Sequence, residues 1–149
     1  MLTQPIRAAL LVGLALATAA ALQAQAVRTY KTRLAPVPVP TFTPSITGAG
    51  SVTATLAGTK LTVAGTFEGL ASPATVARLH KSPKPGIRGD VLFNLTTTGG
   101  TSGTIGGTFD LTPAQIQEIA ASRYYVQLHS EKAPDGNLWG WLQAQEIRK

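Results

Sequence analysis

Val52-Thr53-Ala54-Thr55-Leu56-Ala57-Gly58-Thr59-Lys60-Leu61-Thr62-Val63-Ala64-Gly65-Thr66-Phe67-Glu68 is the stretch that decides the fold. Val52, Ala54 and Leu56 alternate with Thr53 and Thr55, and Leu61, Val63, Gly65 and Phe67 alternate with Thr62, Ala64, Thr66 and Glu68. Successive side chains of a strand point to opposite faces, so this alternation gives each segment one apolar and one polar face. Threonine-rich alternation of this kind suits half-buried antiparallel strands. Ala57-Gly58-Thr59-Lys60 then reads as the hairpin connection between them.

Outward from this hairpin, the same signals recur at short intervals. Val27–Leu34 reads as a first strand with Tyr30 and Leu34 on one face. Ala35-Pro36-Val37-Pro38-Val39-Pro40 has alternating prolines, which favour extended chain poor in hydrogen bonds, an edge crossing or linker. Gly48–Gly50 marks a turn. Val76–His80 and Val91–Thr96 are further strands, separated by the Pro- and Gly-bearing loop Lys81–Gly89, and Thr104–Phe109 is a weaker one. A single helix is expected over Pro113–Ser122. Thr112 is its cap, Pro113 its first residue and Gln115 completes a capping box, with Ile116, Ile119 and Ala120 on one face. Arg123–Ser130 and Asn137–Gln145 close the chain as a hairpin turning at Pro134-Asp135-Gly136. Seven or eight short strands at this spacing imply an all-β antiparallel sandwich or barrel.

The first residues stand apart from this pattern. Met1–Arg7 carries one charge, Ala8–Ala21 is apolar or small throughout, and Ala24-Gln25-Ala26 is a small-x-small site. This is the order of a secretory leader, and the apolar run is shorter than the ~20 residues that span a bilayer. The expected division is a signal peptide over 1–26, cleaved after Ala26 with Ala24 as the alternative, and one domain over 27–149, periplasmic or secreted, with no membrane span in the mature chain. The formal net charge is +6, yet no Lys/Arg run exceeds two residues. A nucleic-acid partner is therefore not expected, and general solubility explains the charge. The absence of cysteine removes disulfides and thiolate metal sites together. The oligomeric state is not legible.

Three segments in order resemble the chordin-type (CHRD) domain family. Gly50-Ser51-Val52-Thr53-Ala54-Thr55-Leu56 through Phe67-Glu68-Gly69-Leu70 is similar to the family's opening; Ala77-Arg78-Leu79-His80 stands where the family has Ala-His-Ile-His. Val126-Gln127-Leu128-His129-Ser130 with Pro134-Asp135-Gly136-Asn137-Leu138-Trp139-Gly140 resembles the family's closing hairpin, and Leu111-Thr112-Pro113-Ala114-Gln115 its helix start. The resemblance covers roughly Thr29–Leu142. It implies an immunoglobulin-like, Greek-key β-sandwich of 7–8 strands with one short helix. The histidine motifs are also similar to the His-x-His strand of copper-zinc superoxide dismutases, an analogy of architecture. The chain departs from the family pattern at Arg78 in place of His, Lys81 in place of Gly, the Pro36–Pro40 stretch, and Trp139 and Trp141 in place of polar residues.

Candidate sites follow from few residues. A zinc or copper site needs three or four ligands, and the chain has two histidines, His80 and His129, and no cysteine. Arg78 shares the face of His80 and repels a cation, and further donors have to come from carboxylates such as Asp90, Glu131 or Asp135. The expected role of the two histidines is to hydrogen-bond loop backbone, with no metal and no cofactor. No Gly-x-Ser-x-Gly elbow and no carboxylate pair argue for an enzyme. Arg78, His80, Lys81, Lys84 and Arg88 fall within eleven residues and are candidates to receive an anionic group; the competing reading is a solvated loop. Trp139 and Trp141 share one strand face, opposite Leu138 and Leu142, so the leucines turn inward and the indoles outward. The indoles form a contact surface for protein or glycan, or else pack under a neighbouring segment. The function expected is a secreted, non-enzymatic binding or structural module with a protein or cell-surface glycan as partner. The alternative is a copper- or zinc-binding redox protein of dismutase-like architecture.

Overall fold

A computed structural model describes residues 26–146. The leader expected over 1–26, apart from Ala26, lies outside the described residues. The elements run β1 (Arg28–Pro36), β2 (Ala49–Ala57), β3 (Lys60–Glu68), β4 (Ala74–Lys81), β5 (Asp90–Thr97), β6 (Gly103–Asp110), α1 (Pro113–Ala120), β7 (Tyr124–Ser130), β8 (Ala133–Trp141) and β9 (Gln143–Ala144). The opening hairpin forms as read: Ala57 pairs with Lys60 across a two-residue turn, and Val52, Ala54, Leu56, Leu61, Val63 and Phe67 are all buried.

The strand order is β2-β3-β6-β5-β4-β7-β8-β1, and β1 pairs again with β2. The sheet therefore closes into an eight-stranded antiparallel barrel, with β9 added beside β1. This corrects the sandwich expected from the sequence. The physical reason is a change of partner within one strand. Arg28–Leu34 of β1 pairs with β2, and Ala35–Pro36 continues onto β8. The opposite seam is thin, with Thr96 and Thr97 of β5 paired to Gly106 and Ile105 of β6. The path is nevertheless a Greek key: β4, β5 and β6 are consecutive neighbours and β7 returns beside β4.

Tyr30, Leu34, Val52, Leu61, Leu79, Val126, Leu128, Leu138 and Leu142 fill the interior. Helix α1 carries the expected reciprocal Thr112–Gln115 capping box and covers the barrel with Ile119, which is fully buried. It ends at Ala120, which is exposed rather than on the inner face. Among the described residues no helix is long and apolar enough to cross a membrane.

The last hairpin differs from the sequence reading. Ser130 pairs with Ala133, so the chain reverses at Glu131-Lys132. Pro134-Asp135-Gly136 instead forms a bulge in β8, between the Leu128–Leu138 and Ser130–Ala133 pairs. Gly136 has φ +132°, and a Cβ there would meet Gln127 Nε2, so the bulge requires glycine. Asn137 closes the bulge inwardly, accepting from Ser130 Oγ at 2.9 Å and donating to the Thr47 carbonyl at 2.7 Å.

Candidate functional site

Strands β4, β7 and β8 lie side by side, and their alternation sets two faces. Ala77 and Leu79, Tyr124, Val126 and Leu128, and Leu138 and Leu142 point into the barrel. Arg78 and His80, Tyr125, Gln127 and His129, and Trp139 and Trp141 take the other face. The register aligns them in rows: Arg78 opposite Gln127 opposite Trp139, and His80 opposite Tyr125 opposite Trp141. Because β7 is the central strand, Tyr125, Gln127 and His129 are only 1%, 2% and 8% exposed although they face outward.

The aromatic rings form one stack. His80 lies on Tyr125 at 4.7 Å between centroids and 13° between planes, and Tyr125 lies on Trp141 at 4.6 Å. Trp139 meets Trp141 edge-on at 4.8 Å, and the Arg88 guanidinium sits 5.1 Å above the Trp139 ring. Trp139 and Trp141 thus turn outward as expected, but half-buried, and they lie on β8 with β9 following.

The loop after β4 is fastened at its base. Tyr125 Oη accepts from the Gly89 N–H at 3.0 Å and donates to the Gly89 carbonyl at 3.1 Å. Ser82, fully buried, donates to carbonyls within the same loop. Gly89 is required there, since a Cβ would strike the Lys81 carbonyl. At the other end of the face Gln127 Nε2 donates to the Asp135 carbonyl at 2.9 Å.

Both histidines bond loop backbone. His80 Nδ1 is 3.0 Å from the Gly89 carbonyl and His129 Nδ1 is 2.8 Å from the Pro134 carbonyl. A carbonyl only accepts, so in each ring Nδ1 carries the hydrogen and Nε2 holds a bare lone pair in the neutral form. Burial lowers the pKa of both rings; the backbone hydrogen bond opposes this, and the positive charges of Arg78 and Arg88 reinforce it. His80 Nε2, His129 Nε2 and Trp141 Nε1 are buried without a hydrogen-bond partner.

Of the eight residues singled out from sequence, six meet here: Arg78, His80, Arg88, His129, Trp139 and Trp141. Two do not. Lys81 Nζ binds Glu118 of α1 at 2.9 Å. Lys84 stands exposed in the loop, where its carbonyl receives the Ser82 hydroxyl. Tyr125 and Gln127 were missed; their signal is the alternation Tyr125, Gln127, His129, which puts them beside a named residue on one face.

The donor set does not suit a metal. His80 pairs with Tyr125 and His129 with Val76, four positions apart along β7 or roughly 13 Å at ~3.3 Å per residue. Arg78 lies between them, and among the described residues no group of three His, Asp or Glu is placed to hold an ion. The dismutase-like alternative has no support from this arrangement.

The CHRD domain family model matches residues 17–142. The chain belongs to the CHRD domain family. Its CHRD-like segments are the elements just described: Ala77–His80 lies in β4, Val126–Ser130 in β7, Leu138–Gly140 in β8, and Thr112 caps α1. CHRD domains are extracellular-type, non-enzymatic modules. Comparison with curated proteins and with solved structures gave no match.

Proposed function

We propose that this CHRD domain is an exported, non-enzymatic binding module that engages a protein or cell-surface glycan through the outer face of β4, β7 and β8. One observation carries the reading. The described polar atoms left buried without partners, on His80, His129 and Trp141, all lie on the face that also holds the Trp139–Trp141–Tyr125 stack. Buried polar groups are nearly always paired, so a cluster of unpaired ones beside half-buried aromatic rings marks a surface that completes itself with another molecule. The extracellular type of the family and the leader-like residues 1–26 support export.

The test is a glycan array and a peptide array probed with the mature domain and with Trp139→Thr/Trp141→Thr. Retention of the wild type on a defined set of spots, lost in the double variant while its far-UV circular dichroism is unchanged, is the expected result. Equal retention of both proteins, or none by the wild type, would exclude this face. N-terminal sequencing of the exported protein is expected to begin at Val27.

A further inference from the structure

Resting on the binding reading above, we infer that the outer face of β4, β7 and β8 takes an acidic sugar, its carboxylate on the Arg78 guanidinium and its hydroxyls on the unpaired nitrogens of His80 and Trp141. The inference starts from what this face lacks. Arg78 is half-buried and makes no ion pair among the described residues, whose salt bridges both end on Glu118 of α1. Arg88 reaches only the Asp135 carbonyl, at 3.4 Å, and the Trp139 ring. A partly desolvated guanidinium without an anion is a costly arrangement, and a planar carboxylate is the group that matches its fork.

The remaining atoms narrow the class of anion. His80 Nε2 and His129 Nε2 are acceptors, because each Nδ1 is spent as donor to a carbonyl. Trp141 Nε1 is a donor. A sulfate, a phosphodiester or a bare carboxylate ion has no hydrogen to give an imidazole lone pair. A hydroxyl both donates to Nε2 and accepts from an indole N–H. A ligand with one carboxylate and neighbouring hydroxyls matches Arg78, His80 Nε2 and Trp141 Nε1, and its apolar C–H face suits the adjoining indoles. Access requires side-chain movement, because His80 Nε2 and Trp141 Nε1 are buried from solvent. The loop base is fixed through Gly89 and Ser82, but the exposed Arg88 side chain is held by one long hydrogen bond. That guanidinium lies over the Trp139 ring and is the side chain on this face most free to move toward a bound carboxylate.

Intrinsic tryptophan fluorescence of the mature domain, titrated with oligogalacturonate, neutral galactan, dextran sulfate and polyglutamate, tests the assignment. Saturable binding of oligogalacturonate in preference to the other three is expected. Arg78→Gln is expected to weaken it about tenfold or more, the loss for a charge-assisted pair, with Arg78→Lys between and Arg88→Gln also weaker. His80→Asn, which keeps a donor near Nδ1 and removes Nε2, should weaken it as well. Equal or tighter binding of galactan, dextran sulfate or polyglutamate would overturn the acidic-sugar assignment, as would unchanged affinity in Arg78→Gln and Arg88→Gln. If Trp139→Thr/Trp141→Thr still loses its array ligand in that case, the face stands as a binding surface and only the ligand class falls. Unchanged array binding in the tryptophan variant sinks both.

Discussion

Two polar clusters flank strand β4, and they are built to opposite standards. At the helix side, Glu118 receives Lys81 Nζ at 2.9 Å and Tyr124 Oη at 2.8 Å, with Arg123 at 3.9 Å, so the carboxylate is satisfied from three sides. Burial alone would raise its pKa, but the hydrogen bonds and cations outweigh this and hold it below the usual carboxylate range. Burial and the same carboxylate push the Tyr124 hydroxyl up. At the outer face, Arg78 and Arg88 have no carboxylate among their described contacts, and three nitrogens are unpaired. Lys81 and Arg78 are three residues apart on one strand, one drawn into a structural clip and the other left with its charge unmatched. Charge density along a sequence does not separate these fates; the element that packs next to each residue does.

The comparison breaks or sharpens under mutation. The largest effect is expected where the face is apolar: Leu79→Ala, beside Arg78 but fully buried, should lose about 2–5 kcal/mol in urea denaturation. A loss under about 1 kcal/mol would mean the barrel interior is looser than its burial implies. Next is the clip. Glu118→Gln should cost about 1.5–3 kcal/mol, while Arg78→Gln should stay within about 0.5 kcal/mol. Equal losses from both would show that Arg78 is held internally after all. The third effect concerns pH. The pKa of His80 and of His129 is lowered on folding, so the unfolded chain binds more protons below about 6.5, the ordinary histidine value. Stability from this source is full above that pH and is lost as the pH falls toward the depressed folded values. The melting temperature should therefore fall between pH 7 and pH 5, and less so in His80→Asn/His129→Asn. A melting temperature that rises on acidification would contradict the buried, neutral rings.

Much of the barrel was legible because it depends on near neighbours. The alternation of Val52 to Phe67 and the Thr112–Gln115 cap are local patterns, and both formed as read. Closure was not legible, since it rests on β1 exchanging β2 for β8 at Ala35, a pairing across more than a hundred residues. Pro134-Asp135-Gly136 misled for a related reason. Proline and a glycine at positive φ mark a departure from the regular ladder, and a bulge departs as surely as a turn. At the site, the inward leucines fixed the direction of Trp139 and Trp141, but not what they would touch. Tyr125 carries no charge and no motif, and it became the hub only once β7 was placed between β4 and β8.

Closure also bears on resistance to proteolysis. The chain has no cysteine, so no covalent link holds any strand in place against proteases. Instead each of the eight barrel strands has a neighbour on both sides, and none can peel away without breaking two ladders. Cleavage of a backbone needs an extended stretch released into the protease cleft, and the thinnest ladders of the barrel are the two-pair seams between β5 and β6 and between β1 and β8. The backbone at Thr96–Thr97 and at Ala35–Pro36 is accordingly where such a molecule would first open to its surroundings.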